Sequence, residues 1–287
     1  MGIGSDFLEM LARLRTAELI QPGAAVVEIG AQQLDNTFLE ASERINSLGV
    51  LFGIDHPSTL PPARPTHIVH GTLEHLGAEA PPARLFWNWL GFNYAAIDID
   101  GSPGSIPLDL NYDSVPPDSV GKHDLVTNFG TTEHVANQLN AFKVIHDLTS
   151  LGGLMIHQLP AQGMFNHGLI NYNFKFFWML ARSNDYRFIY ANYTQGAPYD
   201  LPTNIADFVV SLNSAVCRED LRYAAADGGL TVVMRKTLDI PFVSPLDVAT
   251  GTQTDIAFLK QRYWTVFDTD ALERLRKKRA QAPSKQE

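Results

Sequence analysis

The stretch that decides the fold lies between residues 94 and 160, where four short motifs follow one another. They read YAAIDIDG (residues 94–101), PLDLNYD (107–113), HDLVTNFGTTEHV (123–135) and LTSLGGLMIHQLP (148–160). Upstream, AAVVEIGAQ (24–32) is typical of an apolar strand that ends in an acid and a glycine. Apolar strands that alternate with helices in this way predict parallel pairing with right-handed crossovers.

The motifs therefore predict an α/β protein with a doubly wound, mostly parallel, seven-stranded sheet. Candidate strands are the apolar segments 24–29, 93–98, 124–129, 154–159, 187–193, 207–212 and 230–235. Helical spacing is seen at 5–20, 36–48, 84–90, 135–148, 173–182 and from about residue 270. We expect an N-terminal helix in residues 1–23 that packs on the core. A domain then spans 24–240 with an insertion at about 50–84, and residues 241–287 form a C-terminal extension.

Composition and charge exclude several classes of protein. The chain has 287 residues, of which 45% are hydrophobic and 18% charged, as in a globular protein. Its net charge of −9 argues against nucleic acid as the main partner. The single cysteine, Cys217, excludes an internal disulfide and a multi-cysteine zinc site. Because there is no signal-like start and no long apolar run, we expect a cytoplasmic protein without a membrane partner.

The acids at the strand ends predict a nucleoside-binding site. In an open parallel sheet, a ligand binds at the carboxyl ends of the strands, where the strand order switches. Glu28 and Gly30 end the first strand, and Asp98 and Asp100 leave the second strand at its carboxyl end, where they can accept hydrogen bonds from ribose hydroxyls. The first turn, GAQQLD, lacks the G-x-G-x-x-G run that holds a pyrophosphate. A cofactor with ribose and adenine but without phosphate is favoured.

This series of motifs resembles the class I S-adenosylmethionine-dependent methyltransferases, in particular those that act on small molecules. The resemblance covers residues 24–160 and the strand at 230–235, which corresponds to the usual antiparallel last strand. It implies a Rossmann-like methyltransferase fold and S-adenosyl-L-methionine as cofactor. It also implies that Glu28 and Gly30 contact the methionine part, that Asp98 holds the ribose, with Asp100 as the nearby option, and that Asp109 lies beside the adenine.

Three further residues beside these motifs are expected to contact the cofactor. Gln32 follows the first strand, Leu110 follows Asp109, and Asn128 ends the strand before the Glu-His pair, where the alternative is a turn-forming asparagine. A different assignment of the second strand is also open, because LFGID (51–55) ends in Asp55. We prefer Asp98, since its distance along the chain to Asp109 suits the compact pattern of the family.

The acceptor side is expected after the fourth and fifth strands. Methyl transfer is an in-line displacement from a sulfonium, so alignment and exclusion of water contribute much of the acceleration. His134 is the candidate base, with Glu133 beside it, although the pair can instead cap and orient the following helix. His157, Phe165 and His167 are candidates for the acceptor pocket, with structural histidines as the alternative. The acids Asp98, Asp100, Asp109 and Asp113 do not predict a metal site, because three of them are assigned to the cofactor.

The resulting prediction is an enzyme that transfers a methyl group from S-adenosylmethionine to an oxygen or nitrogen of a small molecule. Two other hypotheses are a nicotinamide-dependent oxidoreductase on a related sheet and a non-catalytic protein that binds the cofactor.

Overall fold

The computed structural model of the chain describes residues 2–70, 73–161, 164, 167–194, 228–248 and 257–281. Its strands are β1 (Ala25–Ile29), β2 (Arg64–His70), β3 (Leu73–Glu79), β4 (Asn93–Asp98), β5 (Ser105–Pro107), β6 (His123–Phe129), β7 (Thr149–Pro160), β8 (Arg187–Thr194) and β9 (Gly229–Arg235). Its helices are α1 (Asp6–Thr16), α2 (Asn36–Glu40), α3 (Ser42–Leu51), α4 (Arg84–Trp89), α5 (Gln138–Leu148), α6 (Phe174–Asn184), α7 (Ala257–Arg262), α8 (Trp264–Phe267) and α9 (Thr269–Gln281).

The main sheet has seven strands in the order β5-β4-β1-β6-β7-β9-β8. The first five strands of this order pair in parallel, and β9 pairs antiparallel with both of its neighbours. The predicted fold class, a doubly wound and mostly parallel seven-stranded sheet, is therefore confirmed. The strands of the main sheet differ from the prediction in one place, because the short β5 belongs to the sheet and was not predicted. The expected strand at 207–212 lies outside the described residues.

Both faces of the sheet are buried, which explains the apolar character of its central strands. On one face, Val27 and Ile29 of β1 pack in a cluster that includes residues of α5 and α6. On the other face, Val26 packs in a second cluster with residues of α1, α3 and α4. Alternation along β1 therefore places Glu28 on the same face as Val26, beneath α4.

The N-terminal helix packs on the core, as the sequence predicts. Phe7, Leu8, Leu11 and Leu14 of α1 are buried in the second cluster. The segment before the helix runs beside the loop after β1, because the amide of Ile3 donates to the carbonyl of Gln33 (2.7 Å). The start of the chain therefore borders the loop that follows the first strand.

The inserted region contains a two-stranded antiparallel sheet of β2 and β3, separate from the main sheet. Asp55 lies outside any strand, whereas Asp98 ends β4, which pairs with β1. The preference for Asp98 over Asp55 as the end of the second strand of the motif is thus supported by the register of the sheet.

An ion pair connects the C-terminal helix α9 to the residue that follows α6. Within its basic run, Arg276 forms an ion pair with Asp185, a residue in the left-handed conformation that follows α6. Among the described residues, no helix has the length and apolar character needed to span a bilayer.

Candidate functional site

A cleft of about 650 Å³ lies at the carboxyl edge of the main sheet. Strand order reverses at β1, since the chain continues to β4 on one side and later to β6 on the other. Ligands in open α/β sheets bind at such a switch point, and this volume is in the range of small-molecule sites. The loops after β1, β4, β5 and β6 line the cleft, through Gly30, Ala31, Gln32, Gln33, Ile97, Asp98, Ile99, Leu108, Asp109, Leu110, Asn111, Gly130, Thr131, His134 and Val135, together with Gly2.

The carboxylate of Glu28 lies beneath this cleft and is fully buried. One oxygen accepts a hydrogen bond from the indole Nε1 of Trp87 (2.8 Å). The other accepts from the hydroxyl of Tyr94 (2.9 Å) and the amide of Gln32 (3.0 Å). The expected contact of Glu28 with the ligand is therefore corrected: its side chain does not line the cleft but ties the first loop to α4 and β4.

Burial governs the ionisation of Glu28. Its pKa is raised from 4.5 to about 7, mainly because burial removes the carboxyl from water. The three hydrogen bonds lower the pKa, but by less than burial raises it. The same carboxyl contributes to a raised pKa of Tyr94, whose main cause is burial.

Gly30 makes a close approach to another part of the protein, the loop after β6. Its φ of +78° lies in the left-handed region, and a Cβ there would collide with the hydroxyl of Thr131. That hydroxyl donates to the carbonyl of Ile29 (2.6 Å), while the side-chain amide of Gln32 contacts the same hydroxyl (3.3 Å). The loops after β1 and β6 are thereby fixed against each other on the floor of the cleft.

Asp98 and Asp109, the two acids expected at the ribose and adenine, both line the cleft. One oxygen of Asp98 accepts from the amide of Ala31 (2.8 Å), and one oxygen of Asp109 accepts from the amide of Asn111 (2.8 Å). A carboxylate has about four lone-pair positions, so both groups keep acceptor capacity for a ligand.

Asp100 does not join these two acids at the cleft. Its carboxylate accepts from the amide and the hydroxyl of Ser102 (2.8 and 2.7 Å), and these hydrogen bonds lower its pKa. Asp100, the nearby option for the ribose, is not among the residues that line the cleft, and its side chain holds its own turn.

The apolar walls of the cleft come from the same loops. Leu110, which the sequence singles out, lines the cleft together with Ile97, Leu108 and Val135. Ile99 adds an exposed aliphatic side chain at the rim. Such walls bordered by a few polar groups suit a flat heterocycle with polar edges.

Glu133, His134 and His167 converge at one end of the site. Glu133 and His134 lie on a 3₁₀ turn (Thr132–His134), and the Nε2 atoms of His134 and His167 are 3.8 and 3.5 Å from Oε1 of Glu133. Glu133 is fully buried, and its burial raises its pKa while the two imidazoles lower it. His134 is half-exposed and lines the cleft, so the cluster adjoins the expected cofactor residues.

Asn128 and His157 belong to the interior and not to the wall of the cleft. Both are buried, and Nδ2 of Asn128 lies 3.2 Å from Nδ1 of His157. The ring of His157 packs against Phe142 and Phe177, and desolvation lowers its pKa to about 3. Neither His157 nor Asn128, which were expected at the acceptor pocket and the cofactor, is among the residues that line the cleft.

Asn128 instead supports the turn that carries the cluster. Its amide donates to the hydroxyl of Thr132 (2.9 Å), and the amide of Gln138 donates to the carbonyl of Thr132 (2.6 Å). Phe165, the remaining predicted pocket residue, lies outside the described residues.

The sequence did not identify Ala31, Asn111 and Thr131 as lining residues. Thr131 follows Gly130 directly after β6, so its position at a strand end was a usable signal. Ala31 and Asn111 line the cleft through loop geometry, for which their residue types carry no signal.

Several solved structures are similar to the chain at low sequence identity. No protein-family model and no curated protein matches the chain. Among solved structures, the 1,6-didemethyltoxoflavin-N1-methyltransferase of Burkholderia thailandensis, bound to 1,6-didemethyltoxoflavin and S-adenosylhomocysteine, is 12% identical, with a TM-score of 0.40 over 80% of this chain and 78% of that chain. A SAM-dependent methyltransferase from Archaeoglobus fulgidus is 12% identical, with a TM-score of 0.39 over 81% and 95% of the two chains. The [4+2]-cyclase SpnF is also 12% identical, with a TM-score of 0.41 over 82% and 81%. At these values the activity has to be argued from the residues of the chain itself.

Replacement of Gly30 by alanine tests the close approach to Thr131. Gly30→Ala should lower the free energy of unfolding by about 1–2 kcal/mol for the left-handed backbone and by about 1–3 kcal/mol more for the collision. Gly23→Ala is the matched control, because Gly23 has a φ of +77° with no atom within 4 Å of the added Cβ. Urea unfolding measures both, and an equal loss in the two variants would contradict the account.

The buried carboxyl of Glu28 should make stability depend on pH. Because its pKa in the folded chain, about 7, exceeds the ordinary value of 4.5, the folded state binds the proton more tightly. Its contribution to stability is fully present below pH 4.5 and is lost as the pH rises through about 7. The difference in unfolding free energy between the wild type and Glu28→Gln should therefore change by roughly 3 kcal/mol over this range. Urea unfolding at several pH values gives this difference, and a constant value would show that Glu28 titrates normally.

Proposed function

We propose that the chain is an S-adenosylmethionine-dependent methyltransferase that acts on a small molecule. The observation that carries the proposal is the cleft at the switch point of the sheet, where Asp98 and Asp109 face a space with apolar walls. The resemblance of the sequence motifs supports the same cofactor.

In this proposal, Asp98 accepts hydrogen bonds from the ribose hydroxyls. It lies at the end of β4, next to the first loop, and its carboxylate is oriented by the amide of Ala31. Asp109 and Asn111 border the adenine, whose flat faces lie against Leu110 and Ile99. The loop from Gly30 to Gln32 contacts the methionine part through its backbone, and Glu28 holds that loop from below without touching the ligand.

The first loop also disfavours a dinucleotide. A pyrophosphate binds where free amides open a helix. Here α2 has only five residues, and its N-terminus is capped by Asp35, whose carboxylate accepts from the amide of Phe38 (2.9 Å). A phosphate at this position would meet a carboxylate that already occupies the helix end. This arrangement weighs against the nicotinamide-dependent oxidoreductase.

The acceptor lies beside Glu133, His134 and His167 in the proposed complex. Because His134 lines the same cleft as Asp98, a small molecule there can approach the methyl group of the cofactor. A lone pair on an acceptor oxygen or nitrogen forms the new bond to the methyl carbon as the bond from carbon to sulfur breaks. The bonding electrons remain on sulfur, which gives S-adenosylhomocysteine, and the acceptor releases its proton to water.

Titration calorimetry with S-adenosylhomocysteine tests the cofactor. The wild type should bind it, and Asp98→Ala should weaken binding about 10- to 100-fold, because hydrogen bonds to a charged group contribute about 1.5–3 kcal/mol. Asp55→Ala is the matched control, since Asp55 is exposed and lies outside the sheet. Circular dichroism checks that each variant is folded.

Two outcomes would contradict the proposal. One is the absence of binding by folded wild type at ligand concentrations up to about 1 mM. The other is binding of NAD(H) in place of S-adenosylhomocysteine, which would favour the oxidoreductase.

A further inference from the structure

The cluster of Glu133, His134 and His167 contains an unusual buried carboxylate. Glu133 has 0% exposure, and neither of its oxygens has a hydrogen-bond partner within the part of the chain that the structure describes. The buried Nε2 of His167 also has none among these residues. A buried carboxylate without compensation costs several kcal/mol, so a positive charge is expected beside it.

The distances within the cluster suit a metal ion better than direct hydrogen bonds. The two Nε2 atoms lie 3.8 and 3.5 Å from Oε1 of Glu133, beyond the usual hydrogen-bond range of about 2.7–3.2 Å. The three ligand atoms all lie within 4.8 Å of one another. Ligands about 2.0–2.2 Å from a tetrahedral zinc ion are separated by about 3.3–3.6 Å, so the two distances from Oε1 of Glu133 are close to the required value and the widest pair of ligand atoms has to close by about 1 Å.

We propose that Glu133, His134 and His167 bind a divalent transition-metal ion such as Zn²⁺. Two imidazoles and one carboxylate are a donor set that such ions accept, and three protein ligands leave a coordination position open. This inference replaces the expectation of no metal, which considered only the acids near the cofactor.

The fold holds the three ligands in place before any metal binds. The amides of Leu169 and Ile170 both donate to the backbone carbonyl of Glu133 (2.8 and 3.1 Å). Gly168 allows this approach, because a Cβ there would lie 2.8 Å from Cγ of Glu133. The loop that carries His167 is thus docked against the turn that carries Glu133 and His134.

His134 connects the proposed metal site to the cleft. The side chain of Glu133 is fully buried, whereas that of His134 is 52% exposed and borders the cleft. On the proposed function, the open position takes an acceptor hydroxyl or carboxylate group. A metal-bound hydroxyl has a lowered pKa, so it loses its proton to water and its oxygen attacks the methyl carbon. The metal keeps its oxidation state throughout.

The site can be tested on the full chain after treatment with EDTA. Zn²⁺ is added in a calorimetric titration and Co²⁺ in a titration followed by visible absorption. The wild type should bind one equivalent of each ion. Loss of a residue that only supports a metal ligand weakens metal binding up to about 100-fold. Because Glu133→Gln and His167→Asn remove a ligand itself, each should weaken binding by more than that. His134→Asn should do the same, and because His134 is half-exposed, this variant is the least able to disturb the fold.

The controls separate a specific site from surface binding. His56→Asn removes an exposed histidine far from the cluster in sequence and should bind the metal as the wild type does. Gly168→Ala keeps all three ligands but displaces the loop of His167, so its affinity should also fall. Zn²⁺ should raise the midpoint of thermal unfolding of the wild type and leave that of Glu133→Gln unchanged.

The inference fails if folded wild type binds neither ion, or if Glu133→Gln and His134→Asn bind them as tightly as wild type. Its failure is distinguishable from that of the proposed function. Stoichiometric metal binding without binding of S-adenosylhomocysteine would leave the metal site standing and reject the methyltransferase. Binding of S-adenosylhomocysteine by folded wild type that binds neither Zn²⁺ nor Co²⁺ would leave the methyltransferase standing and reject the metal site.

Discussion

The buried carboxylate of Glu28 is the interaction on which the site depends. It joins the first loop to α4 and β4, because it accepts hydrogen bonds from the amide of Gln32 and from Trp87 and Tyr94, which lie 59 and 66 residues away in the sequence. A carboxylate in the interior is costly unless its oxygens are occupied, so the first loop is held in the one path that brings its amide to Glu28. The position of that loop in turn sets the floor of the cleft.

The cleft has two ends with different chemistry. At one end, Asp98 and Asp109 offer acceptor oxygens beside apolar walls, which suits a nucleoside. At the other end, Glu133 and two histidines form a compact cluster that adjoins the cleft through His134. Gly30 and Thr131 connect the two ends, since the loops after β1 and β6 touch there. The two ends therefore border one continuous cleft.

The sequence predicts the sheet well because buried parallel strands are continuous apolar runs with acids at their ends. It misses β5, whose three residues are too short for any pattern, and it joins α2 and α3, which are separated at Ala41. In the site, Asp98 could be assigned because the end of its strand is visible in the sequence, whereas Asp109 was assigned through the resemblance of the motifs to a known family. The burial of Glu28 and His157 could not be predicted, since both faces of β1 and β7 are apolar and only packing decides what each face meets. The docking of His167 on Glu133 joins two separate loops, so no local motif encodes it.

The central claim is that the carboxyl edge of the sheet holds a phosphate-free nucleoside cofactor. Hydrogen–deuterium exchange of the full chain with and without saturating S-adenosylhomocysteine tests it most directly. The account predicts slower exchange of the amides at residues 30–33, 98–99, 108–111 and 130–135, which line the cleft. Unchanged exchange in all four segments, or protection confined to the groove beside Arg276 and Asp185, would contradict it.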